Sequence, residues 1–304
     1  MVLAIRIGLP RGLLYFQYGT QWKNFFQQLG AEVVVSSETS KMTLNRGCRL
    51  DGVCLPVKVF FGHVCELCGQ VDYLFIPRII SVASRQYTCP EIIGIPDLIR
   101  SNLSPLPAVL DVSIDLRRNK VSLYQAIIQI GSALGYGRSA SLLAWCLACR
   151  QRQRSPLHVP LADNKQCRIG LIGHPYVIYD RLISMDIIDR LRNSGTEVIT
   201  PQMVNTAQAA EMSKEVGKEI FWSGGCHLAG AAFWLMQQPR TVDGIVIMTS
   251  FACGQDTLVG EVISRRAKVL GVPCMLLSVD EHTAEAGLVT RVEAFTDMLL
   301  RRNL

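Results

Sequence analysis

The chain has 304 residues, 49% of them hydrophobic and 18% charged. That length suits two α/β domains of about 150 residues each, and the composition allows large buried cores and excludes wholesale disorder. Lys plus Arg number 31 against 25 Asp plus Glu, a net charge of +6. This is far from the basic stripe of a nucleic-acid-binding chain. The excess sits in short clusters (Arg117-Arg118, Arg150 to Arg154, Arg265-Arg266, Arg301-Arg302) that read as solvated helix ends.

Met1 to Gly8 form a strand-like run interrupted by Arg6 rather than a secretory leader, and no run of eighteen apolar residues occurs. A cytoplasmic protein with no membrane span is therefore expected. Eleven cysteines in that compartment do not suggest a disulfide framework, and the odd count weakens one further. They read as core residues, metal ligands or redox groups.

An internal repeat organises the chain. Arg6-Ile7-Gly8-Leu9 returns as Arg168-Ile169-Gly170-Leu171. Gly30-Ala31-Glu32-Val33-Val34 returns as Gly195-Thr196-Glu197-Val198-Ile199. Each copy reads as strand, turn, amphipathic helix, glycine stop and strand. The helical stripe is Leu14, Trp22, Phe25, Phe26 and Leu29 in the first copy, and Leu182, Met185, Ile188 and Leu191 in the second. Gly30 and Gly195 stand where a helix needs a left-handed residue to end. The run Val71 to Ile76 is matched by Val242 to Ile247, and Gly94-Ile95-Pro96 by Gly271-Val272-Pro273. All of these are expected as buried parallel strands.

The expected architecture is α/β: two similar Rossmann/flavodoxin-like domains with mostly parallel sheets facing a shared cleft. The first domain spans 1–155 and includes a helical segment at about 121–150, broken near Gly135-Tyr136-Gly137. The second spans 165–304. The polar stretch 150–166, with Pro156 and Pro160, is the linker.

Doubly wound sheets bind ligands beyond the carboxyl ends of their strands, and cysteines fall there. Cys89 follows the strand 74–76 through a loop, and Cys253 follows 245–248 through the matching loop. Cys54 precedes Leu55-Pro56-Val57-Lys58, a segment expected to open a helix, whose N-terminus favours thiolate. Three thiolates suit a soft metal, and a cubane held by three cysteines leaves one iron open for chemistry. The competing reading is that dispersed cysteines are small core hydrophobes.

Cys65/Cys68 and Cys146/Cys149 have the spacing of chelating or dithiol pairs. Cys146 and Cys149 lie in so apolar a helix that a core role is expected for them. Cys226, after Gly224-Gly225, is a candidate extra ligand because glycines let a cofactor approach the backbone. The turns at Gly8 to Gly12 and Gly170 to Gly173 match neither the dinucleotide fingerprint nor the P-loop. Lys58, His63, Arg78, Glu281 and His282 are candidates for charge stabilisation or proton transfer. The alternative for the acidic segment is helix capping, with Asp280 as the N-cap.

Several of these segments together resemble a known family. They are Cys54 to Lys58 with Gly62-His63-Val64, Val71 to Arg78, Cys89-Pro90 with Gly94 to Asp97, Ser250 to Gly254, and Asp280 to Gly287 with Arg291 to Phe295. The resemblance is to the 2-hydroxyacyl-CoA dehydratase superfamily, in its branch of uncharacterised domains attached to, or encoded beside, CoA-dehydratase activases. It implies an iron–sulfur protein of anaerobic metabolism, with a [4Fe-4S] or double-cubane cluster held by Cys54, Cys89 and Cys253. It also implies low-potential electron transfer from an ATP-dependent activator, and a homodimer or related subunit as partner. Family dehydratases eliminate water from a 2-hydroxyacyl-CoA through a ketyl radical. This chain departs from them in being one short subunit with no activator domain and no assignable CoA patch, so the resemblance leaves open whether it is an enzyme. Other readings of the same residues are a non-catalytic accessory or cluster-assembly protein, and a zinc or metal-free small-molecule binding module.

Overall fold

The computed structural model describes residues 4–152, 167–238 and 241–302. The chain divides into two compact units, 1–156 and 157–304. The expected linker, 150–166, lies from 153 onward outside the described residues.

The first unit begins with β1 (Arg6–Leu9), α1 (Tyr15–Gln28), β2 (Glu32–Val35), α2 (Lys41–Gly47), α3 (Leu55–Leu67) and β3 (Tyr73–Phe75). It continues with β4 (Arg78–Ser81), α4 (Pro90–Asn102), β5 (Ala108–Leu110), β6 (Ser113–Asp115), α5 (Val121–Ala133) and α6 (Arg138–Arg152). Its sheet has the order β2-β1-β3-β5, parallel throughout. The pair β4-β6, also parallel, prolongs β3 and β5 beyond Pro77. Pro77 has no N–H to give a ladder. The pairing resumes on either side of it, Ile76 N–H donating to the Leu110 carbonyl at 3.1 Å and Arg78 N–H to that of Val112 at 3.0 Å.

The second unit comprises β7 (Cys167–Ile172), α7 (Pro175–Ile178), α8 (Arg181–Ser184), α9 (Ile187–Asn193), β8 (Thr196–Ile199), α10 (Thr206–Met212) and α11 (Ser223–Gln237). β9 (Gly244–Ser250), α12 (Gly254–Leu270), β10 (Cys274–Val279) and α13 (Glu285–Arg302) complete it. Its order, β10-β9-β7-β8, repeats the first unit's: the opening strand pairs with the second on one side and the third on the other. The repeat extends to single hydrogen bonds. The Arg6 N–H donates to Asp72 Oδ2 at 2.7 Å, and the Arg168 N–H to Asp243 Oδ2 at 2.6 Å. Each aspartate's own N–H returns to the same arginine's carbonyl, at 2.9 and 2.7 Å. Gly30 and Gly195 both end their helices with positive φ, 72° and 82°.

Four expectations fail, each for a local reason. In the second copy the helix is three short pieces: Asp180, in extended conformation, caps a new start after α7, and Met185 and Asp186, between α8 and α9, adopt left-handed φ of 52° and 57°. Arg190 Nε fixes that break by donating to the Met185 carbonyl at 2.7 Å. The buried stripe is therefore Ile183, Ile187 and Leu191, not Leu182, Met185 and Ile188. Gly94-Ile95-Pro96 is not a strand. It lies inside α4, which Pro90 starts at its first position, and β5 takes the fourth place in the sheet. Cys146 is exposed, because α6 buries Ala144, Trp145 and Ala148 while its outer face carries Cys146 and Leu143. Trp145 meets Trp22 and Phe25 of α1 at centroid distances of 4.9 and 5.7 Å. Asp280 caps no helix: its Oδ1 accepts from the His282 N–H and the Thr283 hydroxyl, closing a local turn, and α13 starts at Glu285.

Two glycines set the position of α3. A Cβ at Gly62 would lie 1.9 Å from the Thr43 carbonyl oxygen, and one at Gly47 1.9 Å from that of Lys58. Helices α2 and α3 therefore cross with backbone against backbone. Gly62→Ala is expected to cost about 1 to 3 kcal/mol, because neither carbonyl can move without breaking its helix. A lower urea midpoint with an unchanged m-value would show it.

Candidate functional site

Cys54, Cys89 and Cys253 occupy one structural position three times. Each is the N-cap of a helix, in extended conformation, immediately before α3, α4 and α12 respectively. Prolines pre-set the first turns of α3 and α4, at Pro56 and Pro90. Cys89 follows β4, and Cys253 follows β9, so these two stand at the carboxyl edges of their parallel sheets, where open α/β folds bind ligands. None of the three sulfurs accepts a capping hydrogen bond from its own helix. A helix N-terminus favours negative charge on a neighbouring group, which for a cysteine means thiolate. Cys54 is buried, while Cys89 and Cys253 are partly exposed. Cys54 and Cys89 belong to the first unit and Cys253 to the second. Among the described residues no three His, Cys, Asp or Glu side chains form a group that could hold a single metal ion.

The residues around Cys54 and Cys89 are tied down. Arg78, which begins β4, donates through its guanidinium to the Ile93 carbonyl at 3.0 Å and to Asp97 Oδ1 at 2.8 Å. Two separate sequence segments, the one ending at Arg78 and the one ending at Asp97, are thus joined by one ion pair that fixes α4. Its hydrogen bond holds the Asp97 carboxyl below the usual carboxylate range. Arg78 therefore acts on the helix that carries Cys89.

His63 is fully buried on α3, with Nε2 3.0 Å from Thr39 Oγ1 and Nδ1 without a hydrogen-bond partner. Burial pushes its pKa down to about 4, against the pull of Glu66. It is a neutral imidazole at neutral pH and supplies no positive charge. Lys58 lies one turn along α3 from Cys54. Glu281 and His282 lie in the turn ahead of α13, His282 exposed.

The remaining cysteines are spent differently. Burial raises the pKa of both the Cys65 and Cys68 thiols, and Cys65 raises that of Cys68 further. Cys149 accepts from Gln21 Nε2 at 2.9 Å. Cys226, buried on α11, has its thiol 3.2 Å from the Ser213 hydroxyl. No cysteine forms a disulfide. The glycines before Cys226 serve packing: a Cβ at Gly224 would lie 2.5 Å from His174 Cε1, and one at Gly225 3.0 Å from Val259.

His174 leads to a pair that sequence reasoning missed. It sits just beyond β7, and Asp256 lies in the first turn of α12, just beyond β9. β7 and β9 are the two strands between which the second unit's strand order reverses. His174 Nε2 and Asp256 Oδ1 are 2.9 Å apart, and the side chains are 8% and 3% exposed. Oδ1 has no aligned hydrogen bond, so the contact is a close approach rather than a directed bond. Tyr176 stacks on the imidazole at 4.8 Å. Nearby, His227 Nε2 donates to the Pro201 carbonyl at 3.0 Å, and burial lowers its pKa. The available signal was the offset between repeats: the sequence places His174 and Asp256 where the first unit has Gly12 and Ile92.

A two-unit α/β protein with cysteines at three helix N-caps is thus the class that fold and site define. The chain belongs to the family of the CoA enzyme activase uncharacterised domain, whose family model matches residues 6–204. That span includes Cys54 and Cys89 but not Cys253 or the acidic segment at 280–287. No curated protein matches the chain. A solved structure titled "Structure of the SBP FpvC from pseudomonas aeruginosa in complex with Mn2+" aligns over 98% of this chain and 99% of that one at 15% identity. Its TM-score of 0.29 is too low to compare the folds. No helix among the described residues is long and apolar enough to cross a membrane.

Proposed function

We propose that the chain is an iron–sulfur protein of a CoA-enzyme activase system, with Cys54, Cys89 and Cys253 as its thiolate ligands. The observation that carries this reading is their common placement: three cysteines far apart in sequence, each an N-cap in extended conformation. The donor set fits a soft cofactor, since thiolates at helix N-termini lie beside N–H groups that offset the charge of a bound anion. A bound [4Fe-4S] or double-cubane cluster would supply low-potential one-electron chemistry of the 2-hydroxyacyl-CoA dehydratase type.

The chain's own residues have separable tasks in this reading. Arg78 and Asp97 hold α4 and so position Cys89. Buried Cys54 keeps water from its sulfur. Lys58 supplies the fixed positive charge that neutral His63 does not. Cys226 stays with Ser213 as part of the packing of α11. An ATP-dependent activator is the electron source, in keeping with the activase family to which the chain belongs.

Anaerobic purification with iron and sulfide assays and electron paramagnetic resonance tests the proposal. The expected result is about four irons per chain or a multiple of that, as cubane clusters require. Cys54→Ser, Cys89→Ser and Cys253→Ser should each lower the iron content and change the resonance, while Cys146→Ser should do neither. A folded anaerobic chain without iron, or three serine variants with wild-type iron, would overturn it.

A further inference from the structure

The duplicated fold places two equivalent crevices at the carboxyl ends of the strands where each order reverses, and the two are filled differently. Counted from the shared Arg-Ile-Gly-Leu, Gly12 of the first unit stands where His174 stands in the second. Counted from the N-cap cysteines, Ile92 stands where Asp256 stands. In the second unit His174 and Asp256 meet across the crevice, and Tyr176 stacks on the imidazole. In the first unit neither Gly12 nor Ile92 can make such a bridge, and a cavity of about 80 Å³ remains.

Every side chain lining that cavity among the described residues is aliphatic or aromatic, including Leu14, Tyr15, Phe60, Pro77, Ile92 and Ile95. Its wall is built rather than incidental. A Cβ at Gly19 would lie 2.4 Å from the Tyr15 ring, so glycine at that position is what lets the ring lie along α1. Apolar cavities stay dry and take apolar guests; one of about 150 Å³ holds benzene. The space here is about half that and suits a guest smaller than benzene, of the size of a short branched alkyl group.

We infer that the first unit binds a compact, uncharged apolar group in this crevice, between α1 with the loop before it, the β3–β4 segment and α4. The occupant lies one helical turn from Cys89, because Ile92 is the third residue of α4. The inference stands on the cavity and the repeat, and it holds whether or not the cysteines carry a metal.

Xenon is the probe, an apolar guest smaller than benzene. The full chain, with isoleucine δ1 methyls labelled, is titrated with it and followed by nuclear magnetic resonance. Saturable shifts are expected at Ile76, Ile79, Ile92 and Ile95, with Ile169, Ile245 and Ile247 of the second unit unmoved. Ile92→Phe fills the space from within and should weaken binding at least about tenfold. Leu14→Phe gives the same readout should the first variant not fold. Absence of saturable shifts up to the solubility limit, or equal binding by a folded filled variant, would overturn the inference. Iron content is measured on the same sample, so that failure of the cluster reading and failure of this one are told apart.

Discussion

His174→Ala is expected to destabilise the second unit by about 2 to 5 kcal/mol, the usual effect of emptying a buried ring-sized position, and it removes the neighbour that stands 2.9 Å from Asp256 Oδ1. Asp256 is 3% exposed and His174 6%, so water cannot replace the lost imidazole without entering the crevice. The substitution also removes the ring against which Tyr176 stacks. Asp256→Asn keeps the volume, and should cost less than His174→Ala. A third variant separates contact from composition. Gly224→Ala places a methyl 2.5 Å from His174 Cε1 and should force the ring off Asp256. In the His174→Ala background the same change has nothing to strike, so its cost should shrink to about 0.5 kcal/mol or less, a non-additivity typical of residues in contact. Urea unfolding gives the totals, and hydrogen exchange of the β7 and β9 amides assigns the loss to this unit. Equal effects of Gly224→Ala in both backgrounds would show that the glycine matters for another reason.

The sequence carried the repeat well because duplication writes the same physical requirements twice. Arg6 and Arg168 open strands whose N–H groups need Asp72 and Asp243, and the left-handed stops at Gly30 and Gly195 tolerate little else. Parallel strands buried on both faces are continuous apolar runs, which made β3 and β9 visible. The errors came where local chemistry overrode the pattern. Periodicity could not reveal that Met185 and Asp186 turn left-handed, because that break is fixed by Arg190 from the following turn. Matching Gly94-Ile95-Pro96 to Gly271-Val272-Pro273 ignored Pro90, which starts a helix five residues after Arg85 turns left-handed.

At the site, helix opening after Cys54 was legible from Pro56, whereas the identical N-cap role of Cys89 and Cys253 was not stated by spacing alone. The His174–Asp256 contact escaped notice because its members are far apart in sequence and belong to no motif. Only the strand order brings them together, by setting β7 beside β9. The cavity in the first unit was invisible for a related reason. It is defined by what Gly12 and Ile92 lack relative to their counterparts, and a lack has meaning only beside the residues that fill the same positions of the other copy.

Acidification supplies the second large effect. Lowering the pH from about 6.5 to about 4 is expected to remove on the order of 3 kcal/mol from the first unit through His63 alone. In the unfolded chain this imidazole titrates near 6.5, and in the fold burial holds it at about 4. Above 6.5 both states are neutral and the residue is without effect on the pH dependence. Between the two values the unfolded chain takes up a proton that the folded one refuses, so stability falls as pH falls, by about 1.4 kcal/mol for each unit of difference. Below about 4 both states are protonated and the loss levels off. His63→Gln should flatten this window. The carboxylates act in the same direction but lower down. Asp111 and Asp115, held below the ordinary value of 3.8 by Arg100 and Arg117, keep their contribution until the pH passes below that value. His227, depressed by burial in the second unit, acts in the same direction. Hydrogen exchange at β1 and β3 therefore has to carry the measurement. A slope there that persists unchanged in His63→Gln would mean that the buried imidazole is not the group being titrated.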